Sequence, residues 1–201
     1  MILIGYSGHG YVACSIAKAM GTEFTGYCDM DEKENNPFNL EYHGTEQTKE
    51  ALALLKMNPF FIAIGYNEIR NTVYRDLADK NIFPINLIHP SAVVCPSAFI
   101  GDNGILIAPN VSISPLAKIG LGVICNTSSV IEHECIVEDF AHIGPGSILC
   151  GNVTIGTKTF VGAGSVVRQG ITIGKNVTIG AGAVVVKNVP DGKTVVGNPA
   201  R

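Results

Sequence analysis

The side chains best suited to proton transfer near neutral pH are five histidines: His9, His43, His89, His133 and His142. His133 stands between two carboxylates, Glu132 and Glu134. Either could orient the ring and strengthen it as a base, and adjacency alone does not choose between them. A general base of this kind typically contributes ~10²–10⁴-fold in rate. His142 follows nine residues later. His43 lies in polar, irregular chain and reads as solvated, while His89 reads as seating a junction between two kinds of sequence. A second constellation is Gly5-Tyr6-Ser7-Gly8-His9-Gly10, directly after the apolar run Ile2-Leu3-Ile4. Backbone N–H groups where a strand turns into a helix suit a phosphate or pyrophosphate. The spacing is not GxGxxG, and a tight turn accounts for it equally well. Asp29, at the end of the next apolar segment, stands where such folds place an acidic residue on a ribose hydroxyl. A carboxylate after a strand is also commonplace.

The element that must position the last two histidines is a hexad repeat. From Ile107 through Ile113, Ile119 and Cys125 to Val185, fourteen apolar residues recur at every sixth position. Four residues after each stands a small or β-branched residue, from Val111 and Ala117 to Val189. This period is the signature of a parallel β-helix, three hexads making one triangular coil of 18 residues. Glycines at position two, such as Gly120, Gly144 and Gly156, are expected to supply positive φ at the corners. An earlier register, Ile88, Val94 and Ile100, is offset by one residue, which predicts a bulged corner near 103–106. The tail from Val189 to Arg201 breaks the period and is expected to cap the open last coil. His133 is the third residue of its hexad and His142 the sixth of the next, so neither points into the prism. Their spacing is half a coil, which puts them on different sides of one prism. A site using both then lies between two protomers, and a trimer of prisms is the natural packing. No third histidine falls in the nearby coils, which argues against zinc.

Residues 1–86 lack the repeat and alternate strand with helix, predicting a small, truncated Rossmann-like parallel sheet. Strands are expected at 2–4, 24–28, 59–65 and near 84–87, with helices beginning near Val12, over 46–56 and over 67–80; residues 30–45 read as irregular. The expected organisation is an α/β domain over 1–86 and an all-β prism with its cap over 87–201. Of the 201 residues, 46% are apolar and 15% charged, which suits a folded core rather than disorder. A net charge of −3 gives no electrostatic footprint for nucleic acid or an anionic membrane. No apolar run reaches the ~18 residues needed to span a bilayer. No signal peptide is recognisable at the start. The six cysteines include no CxxC pair, and Cys125 and Cys135 occupy inward repeat positions, as reduced thiols of a cytoplasmic protein would.

The run Asn126-Thr127-Ser128-Ser129-Val130-Ile131-Glu132-His133-Glu134-Cys135, with His142-Ile143-Gly144-Pro145-Gly146, resembles the left-handed β-helix acyltransferases. More narrowly it resembles bacterial UDP-4-amino-sugar N-acetyltransferases, relatives of the sialic acid O-acetyltransferases. The likeness extends to Ser7-Gly8-His9-Gly10, to the run from Phe60 to Arg70, and to the ending from Val195 to Arg201. It implies a left-handed prism, against the usual crossover rule. It also implies direct transfer of acetyl from acetyl-CoA, a co-substrate, to the 4-amino group of a UDP-linked 4-amino-4,6-dideoxy sugar. No permanently bound cofactor and no acyl-enzyme are expected. His133 matches the general base and Glu134 the carboxylate that orients it. His142 matches a contact to acetyl-CoA, as do Gly162, Ala163, Gly180 and Ala181 along the groove between prisms. Ser7, Gly8, His9, Asp29 and Gly65 match the loops that receive the UDP part, and Asn126 a polar contact from the facing protomer. Asp29 is followed by Met30 and Asp31, where close relatives can carry adjacent acidic residues. Two other readings use the same residues: an O-acetyltransferase of sialic acid or another surface sugar, and a non-catalytic nucleotide-sugar-binding scaffold. A scaffold has no need of His133, Glu134 and His142.

Overall fold

The computed structural model describes residues 1–201. The N-terminal half is a four-stranded parallel sheet built from β1 (Ile2–Ile4), β2 (Gly26–Cys28), β3 (Glu41–Tyr42) and β4 (Phe60–Ile62). Their order is β3-β2-β1-β4, with α1 (Gly8–Ala19), α2 (Lys49–Met57) and α3 (Asn67–Ala78) as connections or flanks. Side chains alternate across the sheet. Leu3, Tyr27 and Phe61 join the large core shared with α1 and the prism, whereas Ile2, Ile4, Phe60 and Ile62 pack with Leu55, Val73 and Leu77 of α2 and α3. Thr48 caps α2, its hydroxyl accepting from Ala51 N at 3.2 Å.

Three expectations are corrected here. The stretch 30–45 is not wholly irregular, because β3 adds to the sheet edge beside β2. His43 is not simply solvated: it is half-buried, and a Cβ on Gly26 would overlap its ring. The strand near 84–87 does not close the α/β sheet. Ile85 N gives one bond to Phe60 O at 2.9 Å, but β5 (Leu87–Ile88) pairs with Leu106–Ile107 and begins the prism.

From β5 to β22 (Thr194–Val195), two-residue strands stack into three parallel walls of a left-handed β-helix. The first wall runs from Leu87–Ile88 to Thr194–Val195, the second from Val93–Val94 to Val184–Val185, and the third from Phe99–Ile100 to Thr172–Ile173. Neighbouring strands within the repeat lie one coil apart, as in the register Ile124↔His142. All fourteen first-position residues and their fifth-position partners are buried. Each buried Ile, Leu or Val contributes roughly 1.5–3 kcal/mol. The extra residue sits at 102–104, where Gly104 has φ +69° and Asn86 pins the bulge through Gly101 O and Ile105 N. The tail adds β22 to the first wall beside Thr178–Ile179, and Ala200 N bonds Val184 O.

The corner rule differs from the expected one. Positive φ falls at position four, at Asn110, Leu116, Gly122, Ser128, Glu134, Phe140 and onward. The position-two glycines serve close stacking instead: a Cβ on Gly144 would lie 2.5 Å from Val161 O, and one on Gly162 2.5 Å from Ala181 N.

Candidate active site

His133 sits on the corner between the second and third walls, with its side chain more than half exposed. Its Nδ1 lies 3.0 Å from Glu134 Oε2. Glu132 turns elsewhere and accepts from Ser114 Oγ at 3.3 Å. The structure therefore pairs the histidine with Glu134. Glu134 occupies the left-handed corner at φ +60°, a conformation that costs a non-glycine residue roughly 1–2 kcal/mol. With Nδ1–H given to the carboxylate, Nε2 keeps its lone pair, as a proton acceptor requires. One coil below lies Gly151, where a Cβ would stand 2.5 Å from the ring Cε1 and Nε2. The ring thus rests in the space left by a missing side chain.

His142 lies on the first wall, so the two histidines do face different sides of the prism. It is 8% exposed, covered by the β4–α3 loop rather than by the prism interior. Its Nδ1 is 3.4 Å from Gly65 O, its Nε2 is 3.1 Å from Asn126 Nδ2, and Phe160 meets its ring at 5.1 Å, edge to face. The His9 ring lies 6.2 Å away, and its Nε2 is buried without a partner. Burial first, then the nearby Arg70 charge, pushes His142 down to about 3 and His9 to about 4. Both are neutral at physiological pH. His142 is therefore suited to orienting a neighbour and not to accepting a proton.

A groove of about 500 Å³ opens beside His142, between the start of α3 and the first wall; Tyr66, Lys158, Phe160 and Thr178 are among its lining. On the adjoining corner Asn126, Gly144, Gly162 and Gly180 stack one per coil, and Ala163 and Ala181 are exposed beside them. The expected acyl-donor residues thus form one continuous edge. A second cavity, about 590 Å³, lies beyond the carboxyl ends of β1 and β4 and brings Ser7, Asp29 and Gly65 together with Thr45, Glu46 and Gln47. The strand order reverses between β1 and β4, where open α/β sheets bind ligands. Ser7 and Gly8 are exposed at the start of α1, and the Ser7 side chain makes no capping bond. The Asp29 carboxylate accepts from Tyr6 N at 2.8 Å and Met30 N at 2.7 Å and pairs with Lys33 at 3.1 Å. It ties the two loops of this crevice together.

Sequence reasoning gave no role to Arg70, Asn67 or Gly151. Arg70 is 1% exposed and donates to Gly122 O, Ile64 O, Gly65 O, Asn67 Oδ1 and Phe140 O at 2.8–3.1 Å, with no carboxylate among its partners. Burial pushes its guanidinium down to about 9, which leaves it charged at neutral pH. No group of three histidine, cysteine or carboxylate side chains converges as a metal site. All six cysteines are free. No helix is long and apolar enough to cross a membrane.

Two family models fit this architecture: PglD N-terminal domain over residues 1–77, and bacterial transferase hexapeptide (six repeats) over 134–169 and 152–187. Perosamine N-acetyltransferase from Caulobacter crescentus, solved as a histidine-to-asparagine mutant in complex with CoA and GDP-perosamine, is 34% identical. That likeness covers 100% of this chain and 94% of the other, with a TM-score of 0.92. The chain belongs to the hexapeptide-repeat acyltransferases. Within that family, the acetyltransferase domain of PglB from Neisseria gonorrhoeae, in complex with acetyl coenzyme A, is 36% identical. It covers 100% of this chain and 97% of that one, with a TM-score of 0.89. GDP-perosamine N-acetyltransferase of Escherichia coli O157:H7 is 38% identical over 102 residues, which span 51% of this chain and 46% of that relative.

Proposed function

We propose that this acyltransferase moves the acetyl group of acetyl-CoA to the 4-amino group of a nucleotide-linked 4-amino-4,6-dideoxy sugar. The observation that carries the reading is the His133–Glu134 pair, an exposed ring held through Nδ1 with Nε2 left free of any protein partner. The sugar amine attacks the thioester carbonyl, so a C–N bond forms and the C–S bond breaks. Nε2 of His133 takes the amine proton and returns it to the departing CoA sulfur. Glu134 holds the ring and stabilises the imidazolium. Acetyl-CoA lies along the edge bearing Gly162, Ala163, Gly180 and Ala181, and the nucleotide occupies the crevice of Ser7, Asp29 and Gly65, with Gly8 and His9 following at the start of α1.

One chain cannot complete this site, since His133 and the Asn126–His142 edge sit on different corners. The second wall lies between those corners and turns Val93, Val130, Ile148, Val166 and Val184 outward. In a cyclic trimer with this apolar wall toward the axis, the His133 corner of one protomer meets the Asn126 edge of the next. The symmetry and the chemistry then ask for the same packing. Acetyl-CoA and nucleotide sugars are both cytoplasmic metabolites, which places the reaction there.

The finer assignment is a UDP sugar, yielding a UDP-N-acetylbacillosamine-type product; it rests on the resemblance of the loops at Ser7–Gly10 and Phe60–Arg70. The Caulobacter relative is solved in complex with GDP-perosamine and the E. coli relative carries it in its name, so both bases belong in the test. Release of CoA is measured against UDP- and GDP-linked 4-amino sugars and sialic acid. The reading expects turnover with a nucleotide 4-amino sugar, greater with the UDP form. Turnover with sialic acid alone would favour O-acetylation, and no turnover would favour a scaffold.

A further inference from the structure

The corner carbonyls of Gly122, Phe140 and Lys158 stand one coil apart, each in the left-handed conformation at φ +59°, +57° and +61°. The side chains of Arg70 and Asn67 meet this ladder. Arg70 Nε donates to Gly122 O at 2.8 Å, Arg70 Nη2 to Phe140 O at 2.9 Å, and Asn67 Nδ2 to Lys158 O at 2.9 Å. Arg70 Nη2 also donates to Asn67 Oδ1 at 2.8 Å, which orients the amide. A buried guanidinium without a carboxylate is costly unless its donors are filled, and here carbonyl dipoles fill them.

The remaining donor, Nη1, reaches Ile64 O at 2.9 Å and Gly65 O at 3.1 Å. Gly65 O is also the atom facing His142 Nδ1. Gly65 borders both the nucleotide crevice and the groove beside His142. One carbonyl therefore stands between the nucleotide crevice and the groove beside His142, and Arg70, together with Asn67, ties it to three coils of the prism. With Gly65 O fixed as an acceptor, His142 keeps its proton on Nδ1 and leaves Nε2 to accept from Asn126. Asn126 Oδ1 is taken by Thr127 N at 2.8 Å, so its second amide proton is the one left for a ligand.

We propose that Arg70, seated by Asn67, is a positioning residue for acyl transfer: by holding the Gly65 carbonyl it sets the tautomer of His142, and through it the aim of Asn126 along the acyl-donor edge. The kinetic arm rests on the acetyl-transfer reading; the tautomer arm does not. In nitrogen-15 NMR of histidine-labelled native protein, His142 is expected as the Nδ1–H tautomer with no titration between pH 5 and 8. Arg70→Lys keeps a charge but loses the fork, and Asn67→Ala keeps Arg70 but frees it. Each is expected to mix the His142 tautomers. Each should also raise the KM for acetyl-CoA about tenfold, the scale of one charge-assisted hydrogen bond. The KM for the nucleotide sugar should rise clearly less, since Gly65 only borders that crevice while the aim of Asn126 on the acyl-donor edge is lost. A general packing defect would move both constants alike, or neither. An Nε2–H tautomer in the native protein overturns the proposal even if neither variant folds. Folded variants with unchanged tautomer and unchanged acetyl-CoA KM overturn it as well.

Discussion

Replacing His133 with alanine is expected to lower kcat by ~10²–10⁴-fold, the usual contribution of a general base. The KM of the nucleotide sugar should stay within about twofold, because the nucleotide crevice lies in the α/β half. The same change should leave stability nearly untouched. The side chain is more than half exposed, its only side-chain partner is the equally exposed Glu134, and an exposed pair of this kind contributes little to folding. The contrast with His142 is the informative part. His142 is neutral and enclosed, so its removal opens a hole against Phe160 and Gly65 and should cost stability as well as rate. Steady-state kinetics beside thermal unfolding of the His133 variant checks the separation. Full activity in a folded alanine variant would place the base elsewhere.

Gly151→Ala is expected to lower kcat by about 10²-fold in a protein of native stability, the scale of a 1 Å displacement of a catalytic group. Gly151 is not at a positive φ, so alanine suits its backbone. The three atoms nearest the new methyl group all belong to the His133 ring. An exposed ring can swing aside at small energetic cost, which protects the fold and moves Nε2 away from the amine. Unchanged melting temperature with depressed kcat is the expected pair of results. Unchanged kcat would mean that the ring need not rest there.

Much of the prism was legible because its physics repeats every six residues: a narrow interior admits one apolar and one small residue per corner, from Ile107 to Val189. The corner conformation was harder to read. It falls at position four, where Leu116, Phe140 and Lys158 share no chemical type with Asn110 or Gly122. The short β3 was hidden because Glu41 and Tyr42 belong to an edge strand with no apolar alternation. Ile85 and Leu87 read as one strand, although the chain hands over from one sheet to the other between them. Of the site, the pairing of His133 with Glu134 needed coordinates, since Glu132 is as close in sequence. Gly151 was within reach: it stands one coil after His133, in a column whose other members, Pro96, Pro115, Gln169 and Lys187, all carry side chains. Arg70 was not, because an arginine on a helix reads as solvated until the partners that bury it are known.

The central claim is acetyl transfer at a site shared between chains, and mixed trimers test it most directly. One parent carries His133→Ala; the other carries Ala163→Trp, which blocks the exposed acyl-donor edge. Each parent alone is expected to be inactive while remaining trimeric by light scattering. If His133 of one protomer serves the edge of its neighbour, refolding the two together in equal amounts leaves about one site in four with both parts intact, from random assortment in a cyclic ring. The account predicts that N-acetylated nucleotide sugar forms at about a quarter of the native rate. A mixture as inactive as its parents would contradict it.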